Sequence, residues 1–417
     1  MKILVVAESI NIEDSSGSKA NVAFIHNLIK AGFEVLVYHY TLKDIKLKNV
    51  NTYAIPEIKI SVNYFLSRLQ RIISRNFKIN FAPFLEKLFG FSFTFFNDTN
   101  SIIKALEKCK FEPDLIVTLS KGASFRPHYA VLKLPELHNI WMAYVHDPYP
   151  FHFYPRPYTW VESNYKQKEI FFANVCDKAK YSAFPSQLLL EWMGSFYPNF
   201  LKTGIVIPHQ SSIYQIQNLN FPDYFDPSKF NLLHAGNLMK ARSPEGLLKG
   251  LQLFFSRNKE AQEHTRLLLL GPSSDFSKIL EEYKKGIPQL TIHNKNIPFD
   301  EIYNIQKNVS VNVIIESKSE ISPFLPAKFS HCVEANKTIL SLAPFYSETK
   351  RLLGVNYDYW SEADDENKIA AILEKLYNLW KQNSNNLLLN RNDLEQYLSA
   401  DYLREIIVSL NKKTTVI

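Results

Sequence analysis

Three basic side chains stand where a helix is about to begin. Lys19 follows Gly17 and Ser18 in "AESINIEDSSGSKANVAFIHNLI", Arg242 comes just before Ser243 and Pro244 in "HAGNLMKARSPEGLLKGL", and Lys328 lies two residues after Pro326 in "SPFLPAKFSHCVEANKTILSLAP". Free backbone N–H groups already make a helix N-terminus positive, so an added cation there costs roughly 0.3–1 kcal/mol at an exposed site. An anion reverses the sign, because N–H groups and a neighbouring cation together form a phosphate site. If all three starts lie at the carboxyl ends of strands, they can converge on a ligand with at least one phosphate. A fourth position has a different chemistry. "NIWMAYV" reads as a core strand, and His146-Asp147 follow it in "WMAYVHDPYPFHFYPRP". An imidazole at a strand end can position or protonate a substrate, although Asp147-Pro148 is also a turn signal. Pro148, Pro150, Pro155 and Pro157 stiffen the loop beyond.

The glycine pattern narrows the phosphate ligand. A dinucleotide-binding turn requires G-x-G-x-x-G directly behind the first strand, whereas this loop has Gly17 alone, ten residues after Ala7. No G-x-x-x-x-G-K-[ST] occurs either, which removes the P-loop NTPases. The chain has no D-x-D triplet, and its eleven histidines show no zinc spacing, so no metal is expected. Cys109, Cys176 and Cys332 form neither a ligand set nor an even disulfide framework, which fits a reducing cytoplasm. The 48 basic against 41 acidic residues give +7, a modest excess that suits an anionic small molecule or membrane face without calling for nucleic acid. "MKILVVAESI" is too short an apolar run for a secretory signal, and no later run approaches a membrane span.

These residues must be positioned by strands and helices, and the chain alternates the two. "KILVVA", "EVLVYHY", "DLIVTLS", "NIWMAYVH" and "GIVIP" read as strands separated by helical patterns, one from about Ser18 and another near residues 99–109. After "HQSSIYQIQNLNFPDYFDPSK" the rhythm restarts with "FNLLHAG", "RLLLLG", "QLTIHN", "VSVNVIIE" and "KTILSLAP", with helices after Ser243, Ser277 and Pro326 and a mostly helical stretch over 366–411. The expected fold is α/β: two Rossmann-like, doubly wound parallel-sheet domains facing a cleft. The expected boundaries are 1–208, a connection at 209–228, a second domain at 229–395, and a C-terminal helix at 396–417 able to pack back on the first domain.

At these residues the chain resembles the GT-B glycosyltransferases, and more narrowly the retaining nucleotide-sugar enzymes of glycosyltransferase family 4. The resemblance rests on the Gly17-Ser18 loop, "GFEVLVY", "VIP", "HAGNLMKARSPEGLL", and "PFLPAKFSHCVEANKTILSLAP" followed by "SETKRLL". It implies an N-terminal acceptor domain and a C-terminal donor domain. It implies donor-diphosphate contacts at Gly236, Asn237 and Arg242, where Asn237 replaces the usual arginine, and at Lys328, like the lysine of a subgroup of these enzymes. Gly17, Ser18, Gly271, Ser322, Pro323, Phe324 and Glu348 complete the implied donor-binding set, and His146 takes the place of the active-site histidine. Family members carry a Glu, seven residues and a second Glu around this helix; here His331 fills the second slot, and no such pair exists. His331 either bonds a ribose hydroxyl or is a helix-face histidine satisfied by backbone.

The implied activity is transfer of a sugar from a nucleoside-diphosphate sugar, UDP-linked, to a glycan or lipid-linked acceptor with retention, in surface polysaccharide synthesis and without a cofactor. Two alternatives stay open: a nucleotide-sugar 2-epimerase on the same fold, and a silent nucleotide-sugar binder. The acceptor is suggested by residues 61–80, where Arg68, Arg71 and Arg75 recur at helical spacing beside Leu66, Leu69, Ile73 and Phe77. Such a helix either lies on an anionic membrane, at the inner face, or packs its apolar side on the N-terminal sheet with its arginines in solvent.

Overall fold

The computed structural model describes residues 1–77, 82–162, 164–211 and 220–412. They form two compact units, one from residues 1–154, 158–211 and 399–412, the other from 155–157 and 220–398. The expected connection at 209–228 is described only in part, since 212–219 lie outside the described residues, as do 78–80 of the basic helical segment.

The first unit runs β1 (Lys2–Ala7), α1 (Ser16–Lys30), β2 (Glu34–His39), β3 (Asn51–Ala54), α2 (Val62–Phe77), α3 (Ala82–Phe89), α4 (Phe93–Glu107), β4 (Leu115–Leu119), α5 (Arg126–Leu132), β5 (Trp141–Tyr144), α6 (Tyr165–Lys178), β6 (Tyr181–Phe184), α7 (Gln187–Phe196), α8 (Phe200–Thr203) and β7 (Gly204–Val206). Its seven strands pair in parallel in the order β3-β2-β1-β4-β5-β6-β7. The order reverses between β1 and β4, which makes their carboxyl ends the expected ligand edge. Both faces of the sheet are covered: Leu4 and Val6 of β1 pack in one apolar cluster, and Ile3, Val5 and Ala7 in the other. This is why "KILVVA" is continuously apolar rather than alternating.

The second unit runs β8 (Phe230–Ala235), α9 (Glu245–Arg257), α10 (Ala261–His264), β9 (Thr265–Leu270), α11 (Ser277–Gly286), β10 (Leu290–His293), α12 (Phe299–Asn308), β11 (Val311–Ile315), β12 (Ile321–Ser322), α13 (Lys328–Glu334), β13 (Thr338–Leu342), β14 (Tyr346–Ser347), α14 (Glu348–Leu353), β15 (Trp360–Ser361), α15 (Glu366–Gln382) and α16 (Asn392–Tyr397). Six strands form a parallel sheet in the order β10-β9-β8-β11-β13-β15, reversing between β8 and β11, and β12 pairs with β14. The last helix, α17 (Ala400–Lys412), belongs to the first unit: Leu403, Ile407 and Leu410 join Val22, Phe24, Ile25 and Leu28 of α1 in one cluster.

The structure adds five strands that the sequence did not reveal. β3 and β6 have only four residues and β12, β14 and β15 only two, too few to display a period. It also moves three helix starts, those of α1, α9 and α13. α1 begins at Ser16, two residues before the expected start, because the Ser15 hydroxyl accepts from the Ser18 N–H at 3.1 Å and caps the helix. α9 begins at Glu245 with Pro244 in the cap position, while the Ser243 hydroxyl still accepts from the Glu245 N–H at 3.2 Å.

The apolar stripe of α2 also lies elsewhere than expected. The helix packs on α4 with Ser67 buried and Leu66 and Ile73 half-buried, whereas Val62, Phe65, Leu69 and Ile72 are 74, 62, 53 and 50% exposed. Leu69 therefore faces outward with Phe65 and Ile72, one turn apart, and the arginines border that stripe rather than oppose it. Among the described residues, no helix is long and apolar enough to cross a membrane.

Candidate active site

In the second unit, β8, at the sheet reversal, and its neighbour β9 end in glycines whose backbones touch. Gly236 follows β8 at φ +145°, and Gly271 follows β9 at φ +139°. The Gly236 N–H donates to the Leu270 carbonyl at 2.8 Å, and a Cβ on Gly271 would lie 2.6 Å from the Gly236 carbonyl oxygen. Only glycine allows both the backbone angle and that approach. The same omission makes room for a cation, since a Cβ on Gly236 would lie 2.6 Å from Lys328 Nζ.

Lys328 is the first residue of α13, with Ala327 as cap; the expected Pro326 start is displaced by two residues. Its ammonium reaches back to the end of β8, 3.3 Å from Nε2 of His234. His234 is buried, and its Nδ1 lies 3.0 Å from the Val313 carbonyl, an oxygen that can only accept. Nδ1 therefore carries the proton, and Nε2 is left as an acceptor for the lysine. Burial and the neighbouring Lys328 charge hold His234 well below its ordinary pKa, so the ring stays neutral. Lys328 is itself lowered to about 7, first by burial and then by the Arg242 charge. Among the described residues, neither Lys328 nor Arg242 has a carboxylate in ion-pair contact.

Glu316, one residue beyond β11, is the nearby acid. Burial raises its pKa to about 7 against the lowering effects of Ser322, Thr349 and the Arg242 charge. The Ser322 hydroxyl donates to one carboxyl oxygen, while Oε1 is buried with no hydrogen-bond partner. Near pH 7 this group is thus about half protonated and offsets the cations only in part.

The other expected donor-binding residues are arranged differently. Pro323 is buried and Phe324 half-buried just beyond β12. Asn237 is exposed beside Gly236. Glu348 is fully buried at the start of α14, and its carboxylate takes both Arg351 Nε at 3.0 Å and Nη2 at 2.6 Å. His331 lies in an aromatic corner, with ring centroids 5.0 Å from Phe299 and 5.8 Å from Tyr303 of α12. The structure thus groups Gly236, Arg242, Lys328 and Gly271 and adds His234, which the sequence hid inside the strand "FNLLHA".

In the first unit, His146 stands two residues beyond β5 and is 8% exposed. Its Nε2 lies 3.1 Å from Oδ1 of Asn21 on α1, its ring stacks on His209 at 5.5 Å, and Tyr144 lies tilted beside it at 4.4 Å. Burial, with lesser effects from His209 and His128, keeps His146 neutral, well below the ordinary imidazole pKa. Gly17 sits in the first turn of α1, where a Cβ would be 3.5 Å from the Gly122 N–H position behind β4. Ser18 is fully buried with its hydroxyl 3.1 Å from Ser15, so that side chain serves the helix start rather than a ligand. Lys19 is likewise drawn inward, and burial lowers its pKa.

Beside these residues runs an ionic network that sequence reading did not detect. Glu8, just past β1, accepts from Arg126 Nη1 at 2.7 Å and from the Lys121 N–H at 3.1 Å. Arg126 Nε binds Asp98 at 2.9 Å, and the Tyr40 hydroxyl donates to Asp98 at 2.8 Å. Its members come from four separate segments, so no spacing announces them. Among the described residues, no three His, Cys, Asp or Glu side chains are placed to hold a metal ion.

No protein-family model and no curated protein matches the chain. Solved structures do match over its full length. A structure described as trehalose-6-phosphate from E. coli bound with UDP-2-fluoro glucose superposes with TM-score 0.60 at 11% identity, covering 98% of each chain. A UDP-forming α,α-trehalose-phosphate synthase from Burkholderia xenovorans gives TM-score 0.63 at 10% identity, covering 100% of this chain and 99% of that one. Anabaena Alr3699/HepE, in complex with UDP and glucose, gives 0.53 at 11% identity, covering 100% and 98%. The shared architecture is the GT-B fold, with its two parallel sheets of seven and six strands.

Proposed function

We propose that this chain is a glycosyltransferase that moves a sugar from a nucleoside-diphosphate sugar to a hydroxyl-bearing acceptor. The observation that carries the reading is the cation pair Lys328 and Arg242, close enough for each charge to act on the other and without a carboxylate partner among the described residues, with the Lys328 ammonium against Gly236 at the carboxyl end of β8. Burying an ammonium beside a guanidinium is costly, and a diphosphate offsets that cost. As the bond to the anomeric carbon breaks, negative charge grows on the leaving diphosphate, and these cations stabilise it in place. Lys328 is held in position by His234, and the close backbones of Gly236 and Gly271 leave room for the phosphates. In the first unit, neutral His146 is suited to a sugar hydroxyl.

The UDP and glucose named for the superposable structures support a UDP-linked hexose as donor, and retention of anomeric configuration follows the resemblance in sequence. The acceptor is a lipid-linked or free glycan of surface polysaccharide synthesis, with α2 lying on the inner, anionic membrane face. Its exposed Val62, Phe65, Leu69 and Ile72 would enter the bilayer boundary while Arg68, Arg71 and Arg75 meet lipid headgroups. We assign no cofactor.

A panel of nucleoside-diphosphate sugars, followed by NMR of the products, tests the reading. Transfer or slow hydrolysis with release of the nucleoside diphosphate is expected, with an α-linked product from an α-linked donor. Conversion to a 2-epimer, or thermal stabilisation without turnover, overturns the transferase assignment. Vesicle flotation tests the membrane part: binding to anionic but not zwitterionic vesicles, lost in Phe65→Glu/Leu69→Glu, is expected.

A further inference from the structure

Asn21 is a polar residue on the buried face of α1, fully enclosed among Val22, Ile25 and Leu28. Its amide nitrogen lies 3.2 Å from the Ser9 carbonyl and 3.1 Å from the Ser120 carbonyl, behind β1 and β4. Both oxygens can only accept, so this end of the amide must be the NH2 group, and both its protons are used. The other end, Oδ1, can then only accept, and the atom facing it at 3.1 Å is Nε2 of His146. That nitrogen must carry the proton. In a neutral imidazole the second nitrogen is then a bare acceptor, and His146 Nδ1 is buried with no hydrogen-bond partner.

We infer that Asn21 is a positioning residue that locks His146 as its Nε2–H tautomer, so that the ring offers Nδ1 to a hydroxyl of the sugar being transferred or accepted. This rests on the transferase reading for the role but not for the tautomer. A lone-pair nitrogen on a neutral ring repels a phosphate oxygen and accepts from an O–H, so the first unit selects hydroxyls while the cations of the second take phosphate. Anchored to two strand ends at the sheet reversal, Asn21 ties the orientation of the ring to the frame of the sheet.

The test is ¹⁵N NMR of the histidine rings in the full chain, with His146→Gln identifying the resonance. Protonated Nε2 and unprotonated Nδ1 are expected at pH 6.5; the opposite tautomer or an imidazolium overturns the inference. In Asn21→Asp the oxygen facing Nε2 accepts the same proton, while the other must be protonated to donate to the Ser9 or Ser120 carbonyl, so the side chain stays neutral and the tautomer persists. Asn21→Ala should mix the tautomers and lower kcat/KM by up to about 10-fold, the worth of one supporting hydrogen bond. Should that variant fail to fold, the wild-type and Asn21→Asp spectra still decide. Full kcat/KM in a folded Asn21→Ala overturns the positioning role. A wild type inactive with every donor defeats the transferase reading while leaving the spectrum to judge the tautomer.

Discussion

The carboxyl edges of the two sheets hold charge in opposite ways. In the first unit the buried carboxylates Glu8 and Asp98 are both answered by Arg126, at 2.7 and 2.9 Å, and the more exposed Lys121 meets Asp14 at 3.1 Å. In the second unit Lys328 and Arg242 gather without a carboxylate in contact among the described residues, and the nearby Glu316 carries only part of a charge. A compensated network is a structural device, since its members satisfy one another. An uncompensated one is unstable alone and calls for a ligand. On the proposed function, anion binding falls to the second edge and neutral, hydroxyl recognition to the first.

Equivalent truncations should therefore fail in different ways. Lys328→Met keeps the apolar stem and removes the charge, so turnover should drop by about 100-fold or more while the chain stays folded. Arg126→Ala leaves Glu8 and Asp98 buried and unpaired, which should cost about 3 kcal/mol of stability. Steady-state kinetics beside thermal denaturation separate the two. An unfolded Lys328→Met, or an Arg126→Ala with unchanged stability, would break the contrast. Next in size is Gly236→Ala. The added methyl meets the end of a flexible lysine, so the fold can adapt, but Nζ is pushed from its place and the positive φ is strained. Donor affinity, read by titration calorimetry, should fall by roughly 10-fold.

How much of this was legible before the structure follows from where each signal resides. The long strands β1, β8, β9, β11 and β13 are buried on both faces, so their apolar runs were plain, and the basic residues near Gly236 and Pro326 stood out by being misplaced at helix starts. Short β3 and β6 gave no period. The start of α1 was missed because Ser15 outcompetes Ser18 as cap, two residues that look alike in sequence. Asn21 and His234 were hidden for one reason: each is a single polar residue inside an apolar pattern, and its meaning lies in a partner 125 or 94 positions away. A polar break in a buried face was the available signal. His331 illustrates the converse, a conspicuous substitution that packs among aromatic rings of α12.

The uncompensated edge should also show itself in pH dependence. Lys328 loses its proton and Glu316 gains full charge as pH rises through about 7. Both changes oppose a diphosphate, so nucleoside-diphosphate affinity should fall across pH 6.5–8.5, by up to about tenfold per pH unit for each proton linked. Glu316→Gln should flatten part of that slope and tighten binding at pH 8. A pH-independent Kd in wild type would remove both groups from the site.

The smallest expected effect is on stability without ligand, and its sign follows from the same two groups. Glu316 is raised from 4.5 to about 7. Between those values the folded chain keeps a proton that the unfolded chain has lost, so stability declines as pH rises. Lys328 is lowered from 10.5 to about 7. Above 7 the unfolded chain holds the extra proton, so stability recovers as pH rises further. The two limbs meet in a shallow minimum near pH 7. Glu316→Gln should erase the acid limb and Lys328→Met the alkaline one, each shifting the Tm of the second unit by a few degrees, about 2–4 °C for every 1 kcal/mol. Differential scanning calorimetry from pH 5 to 9 reads both limbs, and a saturating nucleoside diphosphate should fill in the minimum by keeping Lys328 charged. A minimum that persists in the double variant Glu316→Gln/Lys328→Met would place its origin elsewhere in the chain.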